Sequence, residues 1–247
     1  MSKIQPQTEK THRFVTMICG NCGDEIQPEL ECGDRTCEHC FRKRKGRIIN
    51  NLMGPVTEMS NPKFLTLTVV SRPLTLRNVR YLRKCFTKLR HRKLFDGVKG
   101  GFYNIELGNL NKNGVCNMHI HCIYDGPYIP QAEISCQWNQ ITGDSYIVFI
   151  ENCYDAQGAM RYITKHFCKL GNFYPEQKDL INSYLKRTRM IQGFGSIRIA
   201  KPEKITICKN CGAENSFYSH FDPLFYDVVS AFDGLEYTQP PAIAIPI

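Results

Sequence analysis

Phe102-Tyr-Asn-Ile-Glu-Leu107 and Val115-Cys-Asn-Met-His-Ile-His-Cys-Ile-Tyr124 are two runs rich in aromatic and β-branched residues, separated by the polar turn Asn109-Leu-Asn-Lys-Asn-Gly114. Runs of this composition on either side of such a turn predict an antiparallel hairpin. Side chains alternate faces along a strand, so His119 and His121 share one face while Ile120 and Cys122 enter the opposite layer. The pairing sets Glu106 on the neighbouring strand beside the two histidines. Two imidazoles and a carboxylate make a ligand set with open positions. With a phosphate as the further ligand, the set suits manganese or magnesium, because carboxylate and phosphate oxygens are hard donors.

Working outward, Phe64-Leu-Thr-Leu-Thr-Val-Val70 is a further alternating strand. Residues 74–95 predict a helix in which Val79, Leu82, Phe86 and Leu89 form one apolar face. Helices are expected over 130–141, 156–169 and 175–189. Strands are expected over 145–151 and near 196–199 and 205–208. The order β-α-β-β-α-β-α predicts an α+β fold, a mostly antiparallel sheet with helices packed on it. Residues 53–62 (MGPVTEMSNP) read as a linker. The expected domains are therefore a cysteine-rich module with a basic helix over 1–52, a main domain over 60–200, and a cysteine knuckle with an acidic tail over 201–247.

The chain has 247 residues, 13 cysteines and a formal charge of +9. No apolar run reaches the roughly 18 residues that a membrane-spanning helix needs. The polar start, MSKIQPQTEKTHR, lacks the apolar core of a secretory signal. The reading is therefore no membrane partner and a cytoplasmic location, where cysteines serve as metal ligands and packed thiols rather than disulfides. Cys19-x2-Cys22 and Cys37-x2-Cys40 have the form of two knuckles closing one structural zinc site in a ribbon-like module. Cys32 is an alternative ligand. Cys208-x2-Cys211 is a candidate second site, either with His220 or sharing a metal with the N-terminal cysteines. Sequence-independent affinity for nucleic acid is expected from lysines and arginines. Of the basic stretches 42–47, 77–93 and 186–198, the first choice is Arg42, Lys43, Arg44, Lys45 and Arg47, directly after the zinc knuckle. The acidic tail is expected to fold against the domain.

Tyr162, Lys165 and His166 stand at i, i+3 and i+4 of a helical segment and share one face. A phenol becomes a nucleophile where a metal polarises the electrophile and a cation favours the phenolate. Tyr154 and Tyr184 are rivals without such neighbours.

The strand FLTLTVV, the Glu-bearing strand NIELGN, the string His-Ile-His-Cys-Ile and the helical RYITK, in this order, resemble the motifs of HUH endonucleases. More narrowly, they resemble the rolling-circle replication initiators of bacterial and archaeal plasmids and viruses. Cys32-x4-Cys37-x2-Cys40-Phe-Arg-Lys-Arg is similar to their N-terminal cysteine motif, and 186–196 to the segment after their tyrosine helix. The likeness covers about residues 15–200.

It implies a ferredoxin-like or RRM-like palm with helices on the sheet. It also implies a divalent cation on His119, His121 and Glu106, and attack by Tyr162 on a scissile phosphate of single-stranded origin DNA, assisted by Lys165. The products are a 5′-phosphotyrosine, which permits rejoining, and a 3′-hydroxyl for a host polymerase. The chain lacks a G-x4-G-K-[ST] motif, so unwinding falls to a host helicase or to supercoiling of the origin DNA. The implied setting is the cytoplasm of a prokaryotic host. Where some relatives carry a second tyrosine or a glutamate, this chain has Gly158 and Ala159, with Glu151 and Asp155 the nearest acids. The alternatives are an HUH-type transposase and a non-catalytic zinc-ribbon regulator that binds nucleic acid.

Overall fold

The computed structural model describes residues 12–155, 158, 160, 174–185, 188–199, 206–214 and 217–219. It divides into two compact units, one of residues 1–30 with 201–247 and one of Glu31–Ala200. The expected boundary near residue 52 is therefore not a unit boundary.

The larger unit is α+β. Its strands are β3 (Pro62–Thr68), β4 (Arg72–Pro73), β5 (Gly100–Leu110), β6 (Val115–Asp125), β7 (Val148–Asn152) and β8 (Ile191–Gly195). They form a six-stranded sheet in the order β7-β3-β6-β5-β8, with β4 beside β6 and every pairing antiparallel. The described helices are α1 (Glu38–Thr57), α2 (Leu76–Arg90), α3 (Gln131–Thr142) and α4 (Pro175–Leu185). The expected helix over 156–169 lies mostly outside the described residues.

The hairpin forms as anticipated. Ile105 pairs with Ile120 and Glu106 with His119, and the turn closes through Gly114 N–H to Asn111 O. Alternation sends Leu65, Leu67, Ile105, Met118, Ile120 and Cys122 into a core shared with the apolar faces of α2 and α3. Each of the leucine, isoleucine and methionine side chains gains about 1.5–3 kcal/mol by leaving water. Helix α2 starts where Thr75 Oγ1 accepts the Asn78 N–H. It buries Val79, Leu82, Phe86 and Leu89, the face read from the spacing. Cys85, Cys116 and Cys122 are buried as small hydrophobes, whereas Cys136 is exposed.

Two segments depart from expectation. Only residues 58–61 of the expected linker connect elements; 53–57 are the last turn of α1, and Pro62 opens β3. Gly54 and Pro55 read as breakers, but Leu52 and Val56 are fully buried in the core, and Ile48, Ile49 and Met53 pack against it. That packing offsets the roughly 3 kcal/mol a proline costs inside a helix. The late strand is 191–195, not 196–199. Its glycines permit close backbone approach, since a Cβ on Gly193 would sit 2.3 Å from Ile197 O.

The smaller unit is a three-stranded sheet in the order β2-β1-β9, made of β1 (Met17–Cys19), β2 (Glu25–Ile26) and β9 (Phe217–Ser219). An isolated bridge joins Ile207 and Glu214, where a strand over 205–208 was expected. No described helix is long and apolar enough to cross a membrane.

Candidate metal centres

Three adjacent strands build one polar site on the sheet. On β3, Thr66 is in register with His121 and Thr68 with His119. Each hydroxyl lies 3.0 Å from the Nδ1 of its histidine. Both imidazoles are thus held through Nδ1, which leaves Nε2 as the atom directed to a ligand. Partners of this kind fix ring orientation in metal-binding histidines. The two rings stack at 6.2 Å between centroids, and His121 also stacks on Phe64 at 5.9 Å.

From β5, Glu106 is in register with His119, but its carboxylate meets His121 Nε2 at 2.6 Å. A carboxylate has no proton to give, so the imidazole N–H donates. His121 and Glu106 are both buried. Among the described residues, His119, His121 and Glu106 do not bring their ligand atoms within 4.8 Å of one another as the cysteine groups below do. The donor set itself fits a divalent cation: two oriented imidazoles and a carboxylate on one face, with the Glu106–His121 contact where a cation can replace the shared proton.

Asn104 was not anticipated. It is in register with His121 and fully buried, and neither Oδ1 nor Nδ2 has a hydrogen-bond partner among the described residues. Thr66 and Thr68 were also missed, although the alternation of Phe64-Leu-Thr-Leu-Thr places both on the histidine face.

A groove of about 1100 Å³ reaches His121 and Thr66 and is bordered by Tyr128, Phe149, Glu151 and Tyr154. Three of these are aromatic and exposed: Tyr128 49%, Phe149 48% and Tyr154 95%. Phe149 and Glu151 pair with Thr66 and Phe64, so they lie on the histidine side of edge strand β7. Asp155 accepts the Gly158 N–H at 2.8 Å. Tyr162, Lys165 and His166 lie outside the described residues.

The cysteines group differently from the expectation. Cys19 and Cys22 join Cys208 and Cys211 in the smaller unit, not Cys37 and Cys40. Cys37 and Cys40 join Cys32 in the larger unit, where Cys32 Sγ is 3.5 Å from Cys40 Sγ and Cys37 Sγ accepts the Cys40 N–H as the N-cap of α1. Cys32 is thus a member of a group, not a spare thiol. Sequence spacing favours near neighbours, whereas sheet pairing in the smaller unit unites the two ends of the chain. Each group can hold a metal ion such as zinc. Burial pushes the Cys40 thiol up to about 12, with the neighbouring Cys32 and Cys37 thiols adding to the shift.

The basic run lies on α1. Glu31 pairs with Arg44 at 3.3 Å and also with Arg47, while Arg42 and Lys43 are exposed. Phe194 packs edge-on against Phe86 at 5.9 Å, with Arg90 over its ring at 4.4 Å.

Comparison with protein-family models, with curated proteins and with solved structures returned no match.

Proposed function

We propose that the chain is a metal-dependent single-strand DNA endonuclease of the HUH type that nicks and rejoins origin DNA to initiate rolling-circle replication. The observation that carries this reading is the site on three strands: His119 and His121 on one face, each held at Nδ1 by a threonine, with Glu106 reaching His121 Nε2. His119, His121 and Glu106 would hold Mn²⁺ or Mg²⁺. Such a cation supplies Lewis-acid polarisation of a phosphoryl oxygen.

The residues of the chain do the rest. Tyr162 attacks phosphorus in line, its phenolic proton leaves, and the 3′-oxygen departs as a hydroxyl. Phosphate is left on the tyrosine as a 5′-phosphotyrosine, so rejoining needs no external energy source. Lys165 favours the phenolate by its charge. The exposed rings of Tyr128, Phe149 and Tyr154 along the groove suit stacking of unpaired bases, worth about 1–3 kcal/mol per base. Glu151, on the histidine side of β7, is an acid available to activate water for a terminating cleavage. Zinc on the Cys32, Cys37 and Cys40 group would anchor the first turn of the basic helix α1, which contributes phosphate contacts.

The test is incubation with single-stranded DNA of the native replicon and Mn²⁺, followed by a denaturing gel. A covalent protein–DNA band supports the proposal. Binding without a band supports the non-catalytic zinc-ribbon regulator instead. A nicked product that is inserted into unrelated DNA supports the transposase.

A further inference from the structure

Residues 19–23 and 208–212 read Cys-Gly-Asn-Cys-Gly and Cys-Lys-Asn-Cys-Gly, one pattern of C-x-N-C-G at the two ends of the chain. The structure gives both the same backbone. Gly23 and Gly212 have φ of 76° and 73°, a conformation that glycine adopts without strain. Gly23 N–H donates to Cys19 O at 2.8 Å, and Gly212 N–H to Cys208 O at 2.9 Å. Cys19 N–H returns to Asp24 O, and Cys208 N–H to Ala213 O. The knuckles face one another with their sulfurs crossed. Cys19 Sγ is 3.7 Å from Cys211 Sγ, and Cys22 Sγ is 3.6 Å from Cys208 Sγ. The side chain of Asn210 bonds Cys22 Sγ, and that of Asn21 bonds Cys211.

The distances discriminate between chemistries. A disulfide holds its sulfurs at about 2.05 Å. Four thiolates around zinc, each at about 2.3 Å in a tetrahedron, stand about 3.8 Å from one another. All four sulfurs lie within 4.8 Å of one another, and two of the separations match the tetrahedral edge.

The second observation is how little apolar core the described residues of this unit share. The strands of this unit have three, two and three residues. Among its described residues, only Cys19, Leu30 and Cys208 are buried apolar side chains. Strands this short with so few buried apolar side chains among the described residues gain most from a metal cross-link.

We infer that Cys19, Cys22, Cys208 and Cys211 bind one zinc ion as a tetrathiolate clasp, and that this ion fastens the strand at residues 217–219 to the strand at 17–19. The clasp ties together Cys22 and Cys208, which stand 186 positions apart in the chain. It makes attachment of the C-terminal arm, and so the setting of the acidic segment beyond it, depend on metal. It stands independently of the nuclease reading, because these cysteines are outside the proposed catalytic site.

The test uses the full chain. Zinc per chain is measured by mass spectrometry for the wild type, Cys208→Ser/Cys211→Ser and Cys37→Ser/Cys40→Ser. The clasp requires the first variant to lose one equivalent of zinc. Unchanged zinc content in that variant, as a site made of Cys19, Cys22, Cys37 and Cys40 would give, overturns it. Alkylation of the wild type removes any dependence on how the variants fold. Cys19, Cys22, Cys208 and Cys211 should be protected from iodoacetamide together and lose protection together when a chelator is added. Alkylation of Cys208 and Cys211 at the same rate with and without chelator also overturns the clasp.

Discussion

Thr66→Val isolates what the β3 threonines contribute. Valine keeps the shape and strand preference of threonine and removes only the hydroxyl 3.0 Å from His121 Nδ1. Thr66 is partly exposed, so water can replace the lost partner and the cost to folding is small, about 0.5–1.5 kcal/mol. The cost to metal binding is larger, because the imidazole loses the contact that fixes its tautomer and angle. Removing such an orienting partner weakens metal affinity about 10–100-fold, which is about 1.4–2.7 kcal/mol. Calorimetric titration with Mn²⁺ and a thermal melt read the two quantities separately. Thr57→Val is the control, since its hydroxyl bonds only the Met53 and Gly54 carbonyls of its own helix. The reasoning fails if folded Thr66→Val binds Mn²⁺ as tightly as the wild type.

Ile120→Ala, at a fully buried position paired with Ile105, should destabilise the larger unit by about 2–5 kcal/mol in denaturant titration. Asn104→Leu replaces a buried amide without partners, so it should stabilise the fold by about 1–3 kcal/mol while lowering nicking; a loss of stability would show that the amide is satisfied. Burial alone would raise the Asp125 carboxyl, but the backbone N–H groups of Asn61 and Ser60 and the Lys99 ammonium hold it below the usual range. Its contribution is therefore complete above about pH 4 and fades as pH falls through the lowered folded value. Melts from pH 6 to pH 2 should show Asp125→Asn less stable at the upper end and less sensitive to acid. Neutralising the exposed Arg42 and Lys43 should reduce the salt slope of single-strand binding by about 1.4, or about 0.7 for each phosphate contact.

The central hairpin was legible because its signal is local: alternation fixes which side chains share a face, and a short turn fixes the register. The same logic put Glu106 beside the histidines. It did not foresee that the carboxylate reaches diagonally to His121 rather than to its partner in register, His119. That choice depends on rotamers, which alternation does not specify. The last turn of α1 was missed because Gly54 and Pro55 are local breakers, whereas the packing of Leu52 and Val56 that overrides them is long-range. Cysteine pairing failed for a related reason. Spacing favours the nearest knuckles, but sheet pairing brings together knuckles at opposite ends of the chain. The shared C-x-N-C-G pattern of 19–23 and 208–212 was the available signal. The aromatic border of the groove comes from a loop and an edge strand, and no sequence period links Tyr128 to Phe149 and Tyr154.

The central claim, nicking by a tyrosine at the two-histidine site, is tested most directly by locating the covalent bond. The protein is reacted with single-stranded DNA of its replicon and Mn²⁺, digested with protease and nuclease, and its peptides are analysed by mass spectrometry. The account predicts a nucleotide 5′-phosphate on Tyr162, abolished in His119→Ala/His121→Ala. A phosphate carried by Tyr154 instead, or adduct formation that persists without the two histidines, would contradict it.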